Sequence, residues 1–320
     1  MTSPVPGAAA LAAVKSAARK AQGLTHQSGV DESTDASRQY VLTLSCPDRP
    51  GIVASVTRML FEGGANISEA QQYDDPETSR FFARIVFDHP AGGADTGRLH
   101  AGMGALAARF GMTWTLRDTA ERQRVMLLVS RFDHCLADLL YRWRLGELPM
   151  VPVAVVSNHP REALAHLDLG GVPLHHLPVT RQTKMEQEAQ VWALVQETRA
   201  EVVVLARYMQ VLSDGLAAKL HGRCINIHHS FLPGFKGARP YHQAHARGVK
   251  LIGATAHYIT ADLDEGPIIE QAVERVDHGY GPEQLAMVGR DIENVVLARA
   301  VRFHIEHRVL LNGAKTVVLR

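Results

Sequence analysis

The stretch Val125-Met126-Leu127-Leu128-Val129 is an unbroken apolar run, and it decides the fold class of the larger part of the chain. A run of this kind is typical of a strand that is buried on both faces of a parallel sheet. Comparable strands are predicted further along, with a helical pattern between neighbours, at 153–157, 174–177, 202–206 and 224–228. This alternation predicts an α/β fold with a doubly wound, mostly parallel sheet over residues 123–320.

Residues 38–122 follow a different order of predicted elements. A strand at 40–45 leads through a Pro-Gly turn into a helical pattern at 52–60. Two strands at 65–73 and 80–87, a helix at 97–110 and a strand at 113–117 come next. The order βαββαβ predicts a ferredoxin-like domain, in which an antiparallel sheet carries both helices on one face.

Residues 1–37 differ from the rest in composition. They are rich in Ala, Ser and Gly, and residues 1–30 carry Lys15, Arg19 and Lys20 but no acidic residue. A transit peptide has this composition, and so does a flexible extension. Of the two, we favour the flexible N-terminal extension.

The overall composition limits the classes of function. Lys and Arg number 34 against 33 Asp and Glu, a formal net charge of +1, which argues against nucleic acid as a partner. No apolar run approaches the roughly 18 residues of a membrane span. The three cysteines are scattered and lack CxxC spacing, so we expect a cytoplasmic protein without disulfides.

Histidine occurs 17 times, and the pairs His175-His176 and His228-His229 raise the question of a metal site. A metal needs convergent ligands, commonly with a carboxylate or a cysteine, and the sequence has no HExxH-type spacing. We therefore predict no catalytic metal.

The residues with the clearest chemistry are Asn226 and His228, at the end of a predicted strand. Residues two apart on a strand point to the same side, so the amide and the imidazole project together. An amide N–H beside an imidazole can polarise a carbonyl group and stabilise the oxyanion that forms on attack. Asp264 follows the predicted strand 253–259, and its carboxylate could orient the ring. Ser230 lacks a GxSxG-type elbow and is assigned a hydrogen-bonding role.

Two motifs resemble the active site of the folate-dependent formyltransferase family: Asn226-Ile227-His228-His229-Ser230 and Leu263-Asp264-Glu265-Gly266-Pro267. The resemblance implies that Asn226, His228 and Asp264 act together on a formyl group. Residues 205–212 are similar to the family strand that lines the pterin pocket. The resemblance as a whole implies the following substrate-binding residues: Arg207, Tyr208, Met209, Gln210, Val211, Leu212 and, from the second motif, Gly266. Met209 could equally be a core residue.

Residues 38–320 as a whole resemble the branch of this family that hydrolyses 10-formyltetrahydrofolate to formate and tetrahydrofolate. The resemblance implies a hydrolase without a cofactor, since folate is the substrate, that balances one-carbon folate pools and supplies formate for purine synthesis. In glycinamide ribonucleotide transformylases of this fold a Gly-rich turn holds a phosphate, whereas the matching residues 130–135 contain no glycine. Water is therefore the expected acceptor. A formyltransferase with an unrecognised amine acceptor and a non-catalytic folate or amino-acid sensor are the alternatives.

Residues 38–122 resemble the ACT regulatory domain through two motifs, Cys46-Pro47-Asp48-Arg49-Pro50-Gly51-Ile52-Val53-Ala54 and Gly64-Ala65-Asn66-Ile67-Ser68. The resemblance implies a regulatory-ligand site of Asp48, Gly51, Asn66 and Ile67, with methionine and glycine as effectors. The helix N-terminus near Asp48 could bind a carboxylate. Alternatively, Asp48 caps the helix and the domain serves only to form a homo-oligomer.

Overall fold

The structure is a computed structural model that describes residues 38–89, 96–234 and 240–320. The predicted N-terminal extension, residues 1–37, lies outside the described residues. Among the described helices, none combines the length and the apolar character that a membrane crossing requires.

The N-terminal part of the described chain forms a four-stranded antiparallel sheet in the order β2-β3-β1-β4. Its elements are β1 (Arg38–Pro47), α1 (Ile52–Glu62), β2 (Asn66–Asp75), β3 (Arg80–His89), α2 (Thr96–Phe110) and β4 (Thr113–Asp118). Leu42 and Phe87 of the sheet share one apolar core with Leu60 of α1 and Leu99 of α2, so both helices cover the same face. The predicted βαββαβ order is confirmed.

The rest of the described chain contains a seven-stranded sheet in the order β11-β10-β9-β8-β5-β6-β7. Its elements are β5 (Gln123–Val129), α3 (His134–Arg144), β6 (Met150–Ser157), a 3-10 helix (Arg161–Leu164), β7 (Leu174–His176), α4 (Lys184–Glu197), β8 (Val202–Leu205), α5 (Asp214–Lys219), β9 (Cys224–His228), α6 (Pro240–Ala246), β10 (Leu251–Tyr258), β11 (Ile268–Arg275) and α7 (Pro282–Ile305). Strands β5 to β9 pair in parallel, whereas β10 and β11 join antiparallel at one edge. The predicted doubly wound, mostly parallel sheet is confirmed.

The apolar run 125–129 is buried on both faces of this sheet. Val125 and Leu127 belong to the core on the side of α3 and α7, while Met126 and Leu128 belong to the core on the side of α4. Alternate residues of a strand point to opposite faces, so a strand covered on both sides needs apolar residues throughout.

The sheet has a topological switch point between β5 and β8. From β5 the chain moves outward through β6 to β7, then returns to β8 on the other side of β5 and moves outward again to β9. In open α/β sheets the ligand crevice lies at the carboxyl ends of the strands at such a point. The crevice is therefore expected beside Ser130 and Ala206, which follow β5 and β8.

A terminal hairpin of β12 (Val309–Asn312) and β13 (Lys315–Val318) follows α7. The three cysteines, Cys46, Cys135 and Cys224, are unpaired and have no exposed surface. They lie in β1, in the first turn of α3 and at the start of β9.

Candidate active site

Strands β9 and β10 bring the predicted site residues to one end of the large sheet. Asn226 and His228 lie two residues apart at the carboxyl end of β9. The antiparallel neighbour β10 places His257 opposite Asn226. The loop after β10 then returns Asp264 to the same place, so the structure brings Asn226, His228 and Asp264 together.

The imidazole of His228 is buried and contacts Asp264, with 3.1 Å between Nδ1 and Oδ1. The hydrogen bond from His228 is the largest influence on Asp264, and it lowers the pKa of this carboxyl below its usual value against the opposing effect of burial. Asp264 is therefore a carboxylate at neutral pH and fixes the ring through Nδ1. The other ring nitrogen, Nε2, has no hydrogen-bond partner among the described residues.

His257 orients Asn226, and it was not among the site residues predicted from the sequence. Its Nδ1 lies 2.8 Å from the carbonyl oxygen of Tyr258, so this nitrogen donates and Nε2 accepts. Asn226 Nδ2 lies 3.2 Å from that Nε2 and is therefore the donor. Burial lowers the pKa of His257, which favours the neutral ring that this pattern requires. Asn226 keeps its second amide hydrogen for another acceptor.

A pocket of about 530 Å³ opens beside these side chains. It is lined by Asn226, His228 and Asp264 and by every predicted substrate-binding residue from 207 to 212: Arg207, Tyr208, Met209, Gln210, Val211 and Leu212. Met209 has half of its surface exposed and is therefore a pocket residue, not a core residue. The volume suits a small-molecule ligand.

Segment 207–212 is tied to the ends of β5 and β6. The backbone N–H of Met209 donates to Ser130 Oγ at 2.9 Å, and that hydroxyl donates to Asn158 Oδ1 at 2.7 Å. The hydroxyl of Tyr208 accepts from Gln187 Nε2 at 2.8 Å. These bonds hold the pocket wall in place without a ligand.

Gly266 does not line the pocket, in contrast to its predicted substrate-binding role. A Cβ atom at this position would lie 1.7 Å from the carbonyl oxygen of Tyr258, so the two backbones touch where the loop closes on β10. The glycine is needed for this close approach. It shapes the loop that carries Asp264.

A buried polar cluster lies on the β5–β8 side of the pocket, around Glu293 of α7. The Glu293 carboxylate contacts Arg207 Nε at 3.3 Å, His134 Nε2 at 2.8 Å and the Tyr241 hydroxyl at 2.7 Å. Burial raises the pKa of Glu293, but the hydrogen bond from His134, the charge of Arg207 and the Tyr241 hydroxyl outweigh it, so the net shift is downward. None of these three residues, Glu293, His134 and Tyr241, was among the site residues predicted from the sequence.

The same cluster contains a possible set of metal ligands. Donor atoms of His134, Cys135 and Glu293 lie within 4.8 Å of one another. The guanidinium of Arg207 already supplies a fixed positive charge to Glu293, and burial strongly raises the pKa of the Cys135 thiol. Both effects disfavour a cation here.

The four predicted regulatory residues do not converge within one chain. Asp48 and Gly51 follow the end of β1, where Pro47 pairs with Arg80. Asn66 and Ile67 begin β2 at the other end of the sheet, where Asn66 pairs with Asp88. The length of the sheet separates the two halves of the predicted site, so one chain by itself does not bring the four residues together. Gly51, at φ 88°, occupies the N-cap of α1, and no side chain caps that helix.

Comparisons with known proteins agree with this architecture. Residues 123–301 match the Formyl transferase family and residues 40–101 match the ACT domain. The fold and the site thus define an enzyme of formyl transferase type with an ACT domain in front of it.

Relatives of similar length narrow the class. A formyltetrahydrofolate deformylase from Corynebacterium sp. (strain P-1) is 50% identical over 282 residues, 88% of this chain and 98% of the relative. A crystal structure of formyltetrahydrofolate deformylase from Burkholderia mallei ATCC 23344 has a TM-score of 0.83 at 55% identity, covering 88% of this chain and 100% of that one. A glycinamide ribonucleotide transformylase 1 from Symbiobacterium toebii has a TM-score of 0.58 at 29% identity, covering 62% of this chain and 95% of that one. The chain belongs to the formyltetrahydrofolate deformylase family and is a hydrolase, as the sequence resemblance implied.

Proposed function

We propose that this chain hydrolyses 10-formyltetrahydrofolate to formate and tetrahydrofolate. The observation that carries the proposal is the contact between His228 Nδ1 and Asp264 Oδ1, beside Asn226, at the wall of a ligand-sized pocket. An amide donor, an imidazole and a carboxylate are the groups that water attack on a formyl carbon requires.

The proposed reaction uses two groups that have no other partner among the described residues, the second amide N–H of Asn226 and Nε2 of His228. Water attacks the formyl carbon while the second amide hydrogen of Asn226 and a proton on His228 Nε2 stabilise the oxyanion. His228 then donates its Nε2 proton to the leaving folate nitrogen, and one proton of the attacking water restores His228. The other proton leaves with the formic acid, which ionises to formate in solvent. Asp264 stays anionic, holds the ring through Nδ1 and balances its charge. No cofactor takes part in this scheme.

The pterin ring is assigned to the wall formed by residues 208–212. Exposed apolar side chains surround this wall, with Met209, Val211 and Leu263 each more than half exposed. Flat apolar surface beside a few fixed polar groups suits an aromatic ring system. The unpaired cysteines suit a reducing compartment, so the reaction is assigned to the cytoplasm.

The decisive experiment measures formate release from 10-formyltetrahydrofolate by the purified chain without any added amine. Equal amounts of formate and tetrahydrofolate are expected. Folate binding without turnover would support a sensor instead, and formate-free turnover that depends on an amine would support a transferase. The released formate is a one-carbon unit for purine synthesis, and its removal from folate balances the one-carbon pools.

The ACT part is assigned the regulation of this activity by methionine and glycine. Because Asp48 and Asn66 lie at opposite ends of the four-stranded sheet, an effector site that uses both needs two copies of the chain, which is consistent with a homo-oligomer. Titrating each amino acid during formate release tests this role.

A further inference from the structure

An ion pair of two buried side chains, Arg207 and Glu293, lies at the switch point of the large sheet. Arg207 follows β8 directly and lies beside the end of β5, where Ser130 N–H donates to the Arg207 carbonyl oxygen at 3.2 Å. Its guanidinium is nine-tenths buried and pairs with Glu293 of α7. This is the place where a doubly wound sheet binds a ligand.

Glu293 also lies beside the first residue of the helix that follows β5. The eleven-residue helix α3 begins at His134, and His134 Nε2 contacts the Glu293 carboxylate at 2.8 Å. Anions, phosphate groups in particular, bind at the N-termini of helices in this position of α/β folds. Here the carboxylate of Glu293 contacts the first residue of α3, so a phosphate that approached this helix end would meet a fixed negative charge.

A glycine in α7 leaves room for the tyrosine that contacts Glu293. Gly289 lies one turn before Glu293, and a Cβ atom there would be 2.0 Å from the Tyr241 hydroxyl oxygen. Tyr241 can therefore lie across α7 and donate to Glu293 at 2.7 Å. A side chain at residue 289 would remove this contact.

Arg207 adopts a backbone conformation that favours glycine. Its φ angle is 64°, in the left-handed region, where a residue with a Cβ atom is strained. Such strain persists where the surrounding structure holds the residue and is concentrated at functional sites. A glycine would relieve the backbone strain at residue 207, but it would lack the side chain that forms the ion pair with Glu293.

We infer that Arg207 and Glu293 close the crevice to an amine acceptor and so leave water as the only acceptor of the formyl group. The inference rests on the proposed hydrolysis and explains its specificity. In the transfer that the pair prevents, the amine nitrogen bonds to the formyl carbon as the bond from that carbon to the folate nitrogen breaks. The folate nitrogen takes up the proton that the amine loses, so the products are a formamide and tetrahydrofolate.

The test compares the two products that a labelled formyl group can form in the presence of millimolar glycinamide. The ratio of N-formylglycinamide to formate does not depend on the overall rate. We expect Arg207→Gly to raise this ratio about tenfold or more over the unaltered chain, because it opens the crevice without backbone strain. The matched control is Arg199→Gly, the same substitution at an exposed arginine with φ 50°, which should leave the ratio unchanged.

The double variant Arg207→Gly/Glu293→Gln removes both buried charges and replaces the single variant if that one does not fold. We expect the same rise in the ratio of N-formylglycinamide to formate. A folded variant with the ratio of the unaltered chain would overturn the inference. So would a folded variant that has lost formate release as well as transfer, because Arg207 would then serve the reaction itself. Failure of the proposed function is a separate result, since the unaltered chain would then release no formate.

Discussion

Asn226 depends on a neighbouring ring for the direction of its amide. The Tyr258 carbonyl takes the Nδ1 hydrogen of His257, and His257 Nε2 in turn accepts one hydrogen from Asn226. This order fixes which end of the amide is nitrogen. Asn226, which lines the pocket, therefore keeps a hydrogen-bond donor and not an acceptor for a ligand there.

Replacing Asn226 by Ala is expected to lower kcat by about 100- to 1,000-fold, because one donor to the oxyanion is lost. Asn226→Asp keeps the size of the side chain but offers only acceptors when ionised, so a loss of similar size is expected. Steady-state kinetics of formate release checks both variants, with near-ultraviolet circular dichroism as a control for the fold. Normal turnover by the Asp variant would contradict the donor role.

The sequence could predict Asn226, His228 and Asp264, because a strand places the first two on one side and because two motifs shared with a known family together contain all three. It could not predict Glu293. In an amphipathic helix such a glutamate looks like a surface residue, and only the packing of α7 onto α3 buries it. The one available signal was Gly289, a glycine inside this amphipathic stretch and one turn before Glu293.

At the scale of elements, the loop from β10 to β11 determines where Asp264 lies. Asp264 has a left-handed backbone with φ 58°, and Tyr258 N–H donates to the Pro267 carbonyl oxygen at 2.9 Å as the loop closes. Gly266 provides the close contact at this closure. The loop is therefore set by its backbone geometry as well as by its side chains.

Gly266→Ala is expected to displace the loop, because its new methyl group would overlap the Tyr258 carbonyl oxygen. Both kcat and the free energy of unfolding should fall, the latter by about 1 to 3 kcal/mol. The matched control is Gly104→Ala in α2, where the added methyl group meets no atom within 4 Å. There the substitution should stabilise the protein by up to about 1 kcal/mol. Urea unfolding measures both, and equal effects would argue against the overlap.

The predicted elements differ from the structure mainly where the sequence carries no periodic signal. Strand β11 was not predicted, because only part of it is buried and its apolar residues do not alternate regularly. The amphipathic pattern of residues 282–310 predicts one long helix, but the helix ends at Ile305. Two residues later, His307 has a left-handed backbone with φ 55°. Helices commonly end at such a residue, but it is usually a glycine, so the sequence carries no signal of the helix end. Val309 and Leu310 belong to β12 and pair with β13.

For the whole molecule, three histidines tie stability to pH. Desolvation lowers the pKa of His229, His304 and His307 from 6.5 to about 4 in the folded protein. In the unfolded chain they titrate near the ordinary value. Between these values the unfolded chain binds more protons, so the free energy of unfolding rises with pH and falls on acidification.

Each such histidine is expected to contribute about 1.4 kcal/mol per pH unit to the slope of stability against pH near pH 5. His304→Gln should reduce the slope by roughly that amount, while His221→Gln, at an exposed position, should not change it. Urea unfolding at several pH values between about 4.5 and 6.5 measures the slope. An unchanged slope for His304→Gln would contradict the assignment.

The complete burial of the cysteines turns them into natural reporters of partial opening. A thiol reagent can modify Cys46 only when the four-stranded sheet opens, Cys224 only when the large sheet opens, and Cys135 only when α3 separates from the large sheet. Mass spectrometry can separate the three modified peptides without any engineered label. The order in which they react would therefore rank the two halves of the molecule by how readily each comes apart.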